Sequence, residues 1–239
     1  MTVRVTVGEC RLPGRAALES VVQAAVQRVT SFGRGVILGL GTSQTSAAFI
    51  ERLATTVGTQ AIEAVIPTSI QAESRATSLG FRAGSLYNYL DIDIYVDSFD
   101  QCDIRGDLIK GMGGALAREK LLMSLAKNVL LIGTEEKLSD RLKAPVPLEV
   151  IPFAAPAASS ILRSRGWKAC PKVSEGKAGP VITDNGNLLM LVEVGEVEEP
   201  EEMERELKMI PGVVEVGIFP NKGYRVLIGL EDGRVREIK

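Results

Sequence analysis

The sequence predicts an α/β protein: a doubly wound, mostly parallel sheet domain joined to a smaller ferredoxin-like α+β domain. Two observations support this prediction. Short apolar runs alternate with segments of helical period from residue 16 to residue 134, and four prolines within 145–156 then precede a different order of elements. Alternation of strand and helix favours a parallel sheet covered by helices, and the proline-rich stretch indicates a domain boundary.

The larger, Rossmann-like domain is assigned to residues 1–143 and 223–239. In its first helix, at 16–29, apolar residues recur at helical spacing until two glycines end the pattern. The other predicted elements are strands at 36–41, 61–69, 91–97 and 128–134 and helices at 46–55, 72–80 and 115–127. A final apolar run at 224–230 is expected at an edge of the same sheet.

The smaller domain is assigned to residues 144–222. Its predicted elements are, in order, a strand at 147–153, a helix at 157–165, strands at 167–173 and 187–194, a helix at 199–209 and a strand at 213–219. This is the split βαβ order of ferredoxin-like domains. The acidic run at 196–206 is interpreted as the solvated face and first turn of the second helix, where carboxylates suit the helix dipole.

Composition excludes several classes of function. The 239 residues carry a formal charge of −2, so neither nucleic acid nor an anionic membrane is an expected partner. Cys10, Cys102 and Cys170 show no CxxC spacing, and the N-terminus lacks the apolar core of a secretion signal, so we expect a cytoplasmic protein. The longest uncharged stretch, 36–50, is too short to span a bilayer. Because the chain has no histidine, a proton near neutral pH must be moved by Asp, Glu, Lys or Tyr.

A glycine turn, GLGTSQT at 39–45, lies between a predicted strand and a predicted helix. Backbone N–H groups and a helix N-terminus at such a turn attract phosphate or carboxylate, and Thr42, Ser43 and Thr45 add hydroxyl donors. The alternative is an ordinary turn in which Thr45 caps the helix. The motif is neither a Walker loop nor a complete dinucleotide fingerprint.

An acidic loop, DSFDQCD at 97–103, follows the predicted strand that ends at Asp97. Ligands of open α/β sheets bind at the carboxyl ends of strands, so Asp97, Asp100 and Asp103 suit contacts to sugar hydroxyls or proton transfer. Two alternatives remain for this loop. Asp and Ser are common in turns, and a cluster of carboxylates can also hold magnesium.

A glycine-rich loop, within LIKGMGGALAREK at 108–120, lies between Lys110 and a helix that carries Glu119. Three glycines in four positions allow the backbone to approach a ligand closely. A cation before such a loop can stabilise an oxyanion, and a carboxylate on the helix can move a proton. The alternative is that 118–120 form only a solvated helix face.

Taken together, these segments resemble the type A ribose-5-phosphate isomerase family over nearly the whole chain. GLGTSQT is similar to the family's GxGTGST loop, IPTSIQAESRATSLG to its PTS segment, DSFDQCD to its DGADEVD and LIKGMGGALAREK to its LIKGGGGALxREK. PLEVIPFA, VITDNGN and IPGVVEVGIFPNKG also have close counterparts. Several motifs in one order are far more specific than any single motif.

The resemblance implies a reversible isomerisation of ribose 5-phosphate and ribulose 5-phosphate through an enediolate, in the non-oxidative branch of the pentose phosphate pathway, without metal or cofactor. It implies Glu119 as the base, Asp97 and Asp100 for ring opening and hydroxyl contacts, and Lys110 beside the developing oxyanion. The implied substrate-binding residues are Thr42, Ser43, Gln44, Thr45, Ser98, Phe99, Gly111, Met112, Gly113 and Lys137. The smaller domain would help to close the site and form the interface of a homodimer or homotetramer.

The chain departs from the family pattern inside these loops. Ser43 and Gln44 stand where the family shows Gly and Ser, Ser98 and Phe99 replace Gly and Ala, and Met112 interrupts the glycine run. Two alternative functions therefore stay open: a non-catalytic phosphosugar-binding protein, and an isomerase of a different sugar phosphate.

Overall fold

The computed structural model describes residues 14–174 and 176–238. Contacts between residues divide them into two compact units. The large unit comprises 14–99, Arg118–Leu138 and 222–238, and the small unit comprises Asp100–Ala117 and Ser139–Asn221. The segment 100–117 thus groups with the small unit, whereas the sequence placed it in the larger domain. Cys10 and the N-terminal segment considered for a secretion signal lie outside the described residues.

The described residues form six α-helices and fifteen β-strands. The α-helices are α1 (Arg15–Thr30), α2 (Gln44–Val57), α3 (Ile70–Ser78), α4 (Leu116–Leu125), α5 (Ala155–Ser164) and α6 (Pro200–Lys208). The strands are β1 (Val36–Leu40), β2 (Ile62–Pro67), β3 (Ile94–Asp97), β4 (Gln101–Cys102), β5 (Leu108–Ile109), β6 (Val129–Thr134), β7 (Val146–Val150), β8 (Lys168–Pro171), β9 (Val173–Ser174), β10 (Lys177–Pro180), β11 (Leu188–Glu193), β12 (Val213–Val216), β13 (Ile218–Phe219), β14 (Arg225–Gly229) and β15 (Val235–Ile238). Short 3₁₀ helices cover Thr59–Ala61, Glu135–Lys137 and Pro152–Ala154.

The large unit is built on a six-stranded sheet in the order β15-β14-β6-β3-β1-β2. All neighbouring strands are parallel except β14 and β15, which are antiparallel. The chain passes from β1 to β2 on one side and returns to β3 on the other, which creates a topological switch point beside β1. The predicted mostly parallel sheet is therefore confirmed.

One expectation about this sheet is wrong. The run at 224–230 forms β14, which pairs with β6 on one side and β15 on the other, so the edge of the sheet is β15. Sequence patterning gives little signal for β15, because three of its four residues are exposed and only Ile238 is buried.

The core of the large unit lies against β1, β3 and β6. Helix α1 buries a stripe at helical spacing, namely Ala17, Val21, Val22, Ala25, Val26 and Val29. Phe49, Ile50 and Leu53 of α2 are fully buried in the same cluster. Since a fully buried large apolar side chain contributes about 1.5–3 kcal/mol, this packing holds the carboxyl ends of the strands firmly in place.

The small unit contains an antiparallel sheet in the order β12-β7-β11-β8, with α5 and α6 following β7 and β11 along the chain. In the numbering of these four strands this is the 4-1-3-2 arrangement of the split βαβ motif, so the predicted ferredoxin-like domain is confirmed. The acidic first turn predicted for the second helix is also present, with Glu201 and Glu202 in α6. None of the helices in the described residues is long and apolar enough to cross a membrane.

The predicted strand at 213–219 is divided between two sheets. Its first part, β12, pairs with β7, whereas β13 joins β5 and β4 in a separate three-stranded sheet. Gly217 lies between them, where a Cβ atom would meet the Lys110 carbonyl oxygen at 2.5 Å. This second sheet also explains why the loop 100–117 belongs to the small unit, since it supplies both β4 and β5.

Candidate active site

Asp97, at the end of β3 in the large unit, has a fixed and buried carboxylate that is 1% exposed. Its Oδ1 accepts hydrogen bonds from the Ser98 N–H at 2.7 Å and the Ser46 hydroxyl at 3.1 Å. Its Oδ2 accepts the Tyr95 hydroxyl at 2.5 Å. Gly41 lies directly opposite, and a Cβ atom there would come within 1.8 Å of the Asp97 Cγ. The carboxylate can therefore occupy this position only because residue 41 has no side chain.

Tyr95 lies within electrostatic range of both Asp97 and Glu119. Burial raises the pKa of Tyr95 well above its usual 10.0, and the charges of Asp97 and Glu119 raise it further. Glu119 is 2% exposed and lies in the first turn of α4, where the helix dipole stabilises a carboxylate. The Tyr95 phenol consequently remains a hydrogen-bond donor between two acidic side chains.

The turn after β1 places hydroxyl groups at the start of α2. The Thr42 hydroxyl contacts the hydroxyls of Thr68 at 2.8 Å and Ser69 at 2.7 Å, so the PTS segment orders this turn. Ser43, not Thr45, caps α2, since the Ser43 Oγ accepts the Ser46 N–H at 2.9 Å. The helix therefore begins earlier than the sequence indicated, and Thr45 lies inside it with 8% exposure.

Gln44, the first residue of α2, has an exposed side chain. Ser43 instead turns its hydroxyl toward the helix, where it also lies 2.8 Å from the Ser46 hydroxyl. The two substitutions in this loop therefore leave its backbone in a conformation that still starts a helix.

Ser98 and Phe99, the two substituted positions of the acidic loop, form a site for Lys137. The Lys137 ammonium donates to the Phe99 carbonyl at 2.7 Å and the Ser98 hydroxyl at 3.1 Å. It also lies 5.7 Å from the centre of the Phe99 ring, within range of a cation–π interaction. Gly133 accommodates the ring, because a Cβ atom there would approach the Phe99 Cζ to 2.4 Å.

In the small unit, Asp100 is tied to the glycine-rich loop. Its Oδ2 accepts the Met112 N–H at 3.0 Å. Gly111 and Gly114 have φ angles of 103° and 84°, which L side chains rarely adopt. Gly113, between them, is exposed. This conformation of the loop depends on glycine at positions 111 and 114.

Lys110 is 1% exposed, which is unusual for a lysine. It follows β5, and its N–H donates to the Gly217 carbonyl at 3.0 Å. The Lys110 ammonium lies 4.8 Å from the centre of the Phe219 ring on β13. Its ammonium is thus buried beside an aromatic ring, and a buried charge acts more strongly on a nearby anion than a charge in water does.

Asp103 has a different role from the other two acids of its loop. Its Oδ1 accepts the N–H groups of Arg105 and Asp107, both at 2.9 Å, so it closes a turn. The turn alternative is therefore correct for this residue. Among the described residues, no group of three or more His, Cys, Asp or Glu side chains is placed to hold a metal ion.

The site residues predicted from the sequence fall into two groups. The large unit brings Asp97 and Glu119 to one buried tyrosine and places Lys137 on the loop that follows Asp97. The small unit joins Asp100 to the glycine-rich loop and buries Lys110.

Sequence reasoning missed Tyr95, Ser46 and Phe219. The alternation of side chains along a strand gave a signal for Tyr95, because it lies two residues before Asp97 on the same face of β3.

Comparison with known proteins identifies the family. Residues 64–233 match the family model described as ribose 5-phosphate isomerase A, or phosphoriboisomerase A. The chain belongs to this family. A ribose-5-phosphate isomerase A from Methanothermobacter thermautotrophicus is 40% identical over 88% of this chain and 93% of its own length. The ribose-5-phosphate isomerase of Homo sapiens is 34% identical over 94% of this chain and 71% of its own length.

Solved structures of ribose 5-phosphate isomerases have the same fold. The enzyme from Methanocaldococcus jannaschii aligns with a TM-score of 0.84 at 35% identity and covers 93% of this chain and 98% of its own. A D-ribose-5-phosphate isomerase in complex with phospho-erythronic acid aligns with a TM-score of 0.85 at 36% identity and covers 92% and 98%. The predicted family, fold and class of enzyme, an aldose–ketose isomerase, are confirmed.

Proposed function

We propose that the protein interconverts ribose 5-phosphate and ribulose 5-phosphate through an enediolate, with Glu119 as the base. Glu119 would take the proton from C2 of the open aldose and deliver it to C1 of the enediolate, which gives the ketose as the proton of O2 passes to O1. The observation that carries this role is a carboxylate that is 2% exposed in the first turn of α4, directly after the glycine-rich loop. No histidine is available for the same task.

Ring opening is assigned to Asp97. Its carboxylate would accept the proton of the anomeric hydroxyl while the ring oxygen gains a proton from a water molecule and the bond between C1 and that oxygen breaks. The hydrogen bonds from Ser46, Tyr95 and Ser98 support this role, because they fix the positions of both Asp97 oxygens.

The remaining groups would bind the substrate and stabilise charge. Lys110 is suited to the oxyanion that develops during proton transfer, since a buried ammonium acts in a low dielectric. Asp100 would contact a sugar hydroxyl. The turn at 42–45 would bind the phosphate through N–H and hydroxyl groups at the start of α2. Such an activity would place the protein in the non-oxidative branch of the pentose phosphate pathway.

The first experiment measures conversion of ribose 5-phosphate to ribulose 5-phosphate with and without a chelator. We expect conversion that the chelator leaves unchanged. Binding of ribose 5-phosphate without turnover would contradict the proposal and favour a phosphosugar-binding protein, and loss of activity with chelator would contradict a metal-free reaction.

Glu119→Gln tests the base. It should lower kcat about 10²–10⁴-fold, because general-base catalysis contributes a factor of this size. Glu201→Gln is the matched control, since Glu201 is also an acid in the first turn of a helix but is exposed. Wild-type kcat in Glu119→Gln would reassign the base.

Deuterium exchange separates the two proposed steps. Ribulose 5-phosphate cannot close a furanose ring, so exchange of its C1 protons with solvent reports proton transfer alone. Glu119→Gln should lose both exchange and conversion. Asp97→Asn should retain more exchange than conversion, and an equal loss of both would contradict the assignment of Asp97 to ring opening.

A further inference from the structure

We propose that Lys172 is a positioning residue of this isomerase, which fixes and polarises the peptide between Met112 and Gly113 in the glycine-rich loop. The inference rests on the proposed function, because its consequence for turnover depends on that loop facing the substrate. Lys172 comes from a distant part of the chain, and no sequence motif singled it out.

The contacts of Met112 support the proposal. The Lys172 ammonium donates a hydrogen bond to the Met112 carbonyl, from a position 60 residues further along the chain. The Met112 N–H donates to the Asp100 carboxylate at 3.0 Å. The two peptide units on either side of the Met112 Cα are therefore each bound by a charged side chain, one by an anion and the other by a cation.

The segment that carries Lys172 is itself held in place. The Lys172 N–H donates to the Leu189 carbonyl, and the Lys172 carbonyl accepts the Val181 N–H, both at 2.8 Å. Leu189 and Val181 also lie against the loop, since a Cβ atom on Gly114 would be 3.8 Å and 4.0 Å from them. The segment 172–189 thus supports the loop at two points, through a side-chain cation at Met112 and through apolar packing at Gly114.

A buried glutamate anchors the far end of this segment. Glu149, 0% exposed on β7, accepts at its Oε1 the Thr183 hydroxyl at 2.9 Å and the side-chain amides of Asn185 at 2.9 Å and Asn187 at 2.8 Å. Three side chains of one turn thus bind the same carboxyl oxygen. The turn between Val181 and Leu189 is therefore fixed to β7, one of the two central strands of the small-unit sheet.

Electrostatics connects Lys172 with Asp100. Lys172 is half-buried, and this burial lowers its pKa, an effect that the nearby Asp100 carboxylate partly opposes. An ammonium in such surroundings exerts a stronger field on the carbonyl that it binds than it would in water.

Polarisation of the Met112 carbonyl changes the donor at the other end of the same peptide. That donor is the Gly113 N–H, and Gly113 is exposed in the loop proposed to receive the substrate. Chains of hydrogen bonds strengthen one another, so a cation at the carbonyl makes the N–H a better donor. A better donor favours the oxyanion of the transition state over the uncharged carbonyl of the bound substrate, which raises kcat more than it lowers KM.

The kinetic test is Lys172→Met in the full-length protein. We expect kcat to fall about 10–100-fold, the range for a lost hydrogen bond to a charged group, while KM changes less than about threefold. Lys172→Arg should restore most of kcat, because it keeps the charge and a donor. Lys168→Met is the matched control, since Lys168 lies on neighbouring β8 but is exposed and pairs with Glu193. Unchanged kcat in Lys172→Met would overturn the proposal.

A second measurement does not depend on turnover. In protein labelled with ¹⁵N-glycine, the Gly113 amide proton resonance should move upfield in Lys172→Met and return in Lys172→Arg. An unchanged resonance in Lys172→Met would overturn the polarisation of this peptide even if kcat fell. Absence of isomerase activity in the wild type would contradict the proposed function alone, because the amide shift would still decide whether Lys172 polarises the loop.

Discussion

Asp97 and Asp100 lie three residues apart in one loop, yet their surroundings differ in kind. Asp97 is fully buried, and its carboxylate accepts hydrogen bonds from the hydroxyls of Ser46 and Tyr95 and from the next backbone amide. Asp100 is partly exposed, accepts the amide of Met112, and lies within electrostatic reach of Lys172.

The difference indicates how each carboxylate responds to change. The position of Asp97 depends on the space left by Gly41 and on hydrogen bonds within the large unit, so small steric changes should have large effects on it. The orientation of Asp100 depends on a glycine-rich loop and on charge within the small unit. Three predictions test this contrast.

Gly41→Ala should have the largest effect. Its Cβ would lie 1.8 Å from the Asp97 Cγ, so the carboxylate must move. Because a displacement of about 1 Å can cost about 10²-fold in rate, we expect kcat for ribose 5-phosphate to fall by about this factor. Gly14→Ala is the control, since its Cβ would have no neighbour closer than 3.9 Å. Wild-type kcat in Gly41→Ala would show that turnover does not depend on the exact position of the Asp97 carboxylate.

Tyr95→Phe should have an intermediate effect, because it removes one donor from Asp97 and leaves the packing of the ring in place. We expect about a tenfold loss of kcat, the value of about one hydrogen bond to a charged group. Tyr89→Phe is the matched control, since the Tyr89 hydroxyl lies 3.4 Å from the exposed Glu63.

The pH dependence of this variant gives a second check. The pKa of Tyr95 is raised above 10.0, so the folded state keeps a proton that the unfolded chain loses as the pH passes 10. Wild-type stability should therefore decline above pH 10 more steeply than that of Tyr95→Phe, measured by denaturant unfolding. Equal slopes would mean that Tyr95 ionises in the folded protein as it does in water.

The contrast also shows what could be predicted from the sequence. Periodicity predicted both sheets, because buried strands and amphipathic helices leave local patterns, and it placed Asp97 at the end of β3. It could not predict that β13 pairs with β5 in a different sheet from β12, beside Lys110. This pairing depends on the close approach of Gly217 to the Lys110 carbonyl oxygen.

Long-range contacts set a similar limit. Lys172 and Met112 are 60 residues apart, and their contact has no local signature. Tyr95 was within reach of sequence reasoning, because it shares a strand face with Asp97. The family motifs identify the residues proposed for catalysis and substrate binding. The residues that hold them in position are identified only in the folded structure.

Treatment with a thiol reagent should have the smallest effect on activity. It tests how firmly the acidic loop around Cys102 is held in the small unit. Burial, followed by the charges of Asp103 and Asp107, raises the pKa of Cys102 to about 12. At pH 8 its thiolate fraction is then about 10⁻⁴, compared with about a quarter for an ordinary cysteine. In a Cys10→Ser variant, a thiol reagent should modify the partly exposed Cys170 and leave Cys102 intact, with kcat unchanged. After unfolding in denaturant, both thiols should react. If Cys102 of the native protein reacted as fast as Cys170, the acidic loop would have to open beside Asp100. The Asp100 carboxylate would then be less firmly held than its contacts indicate.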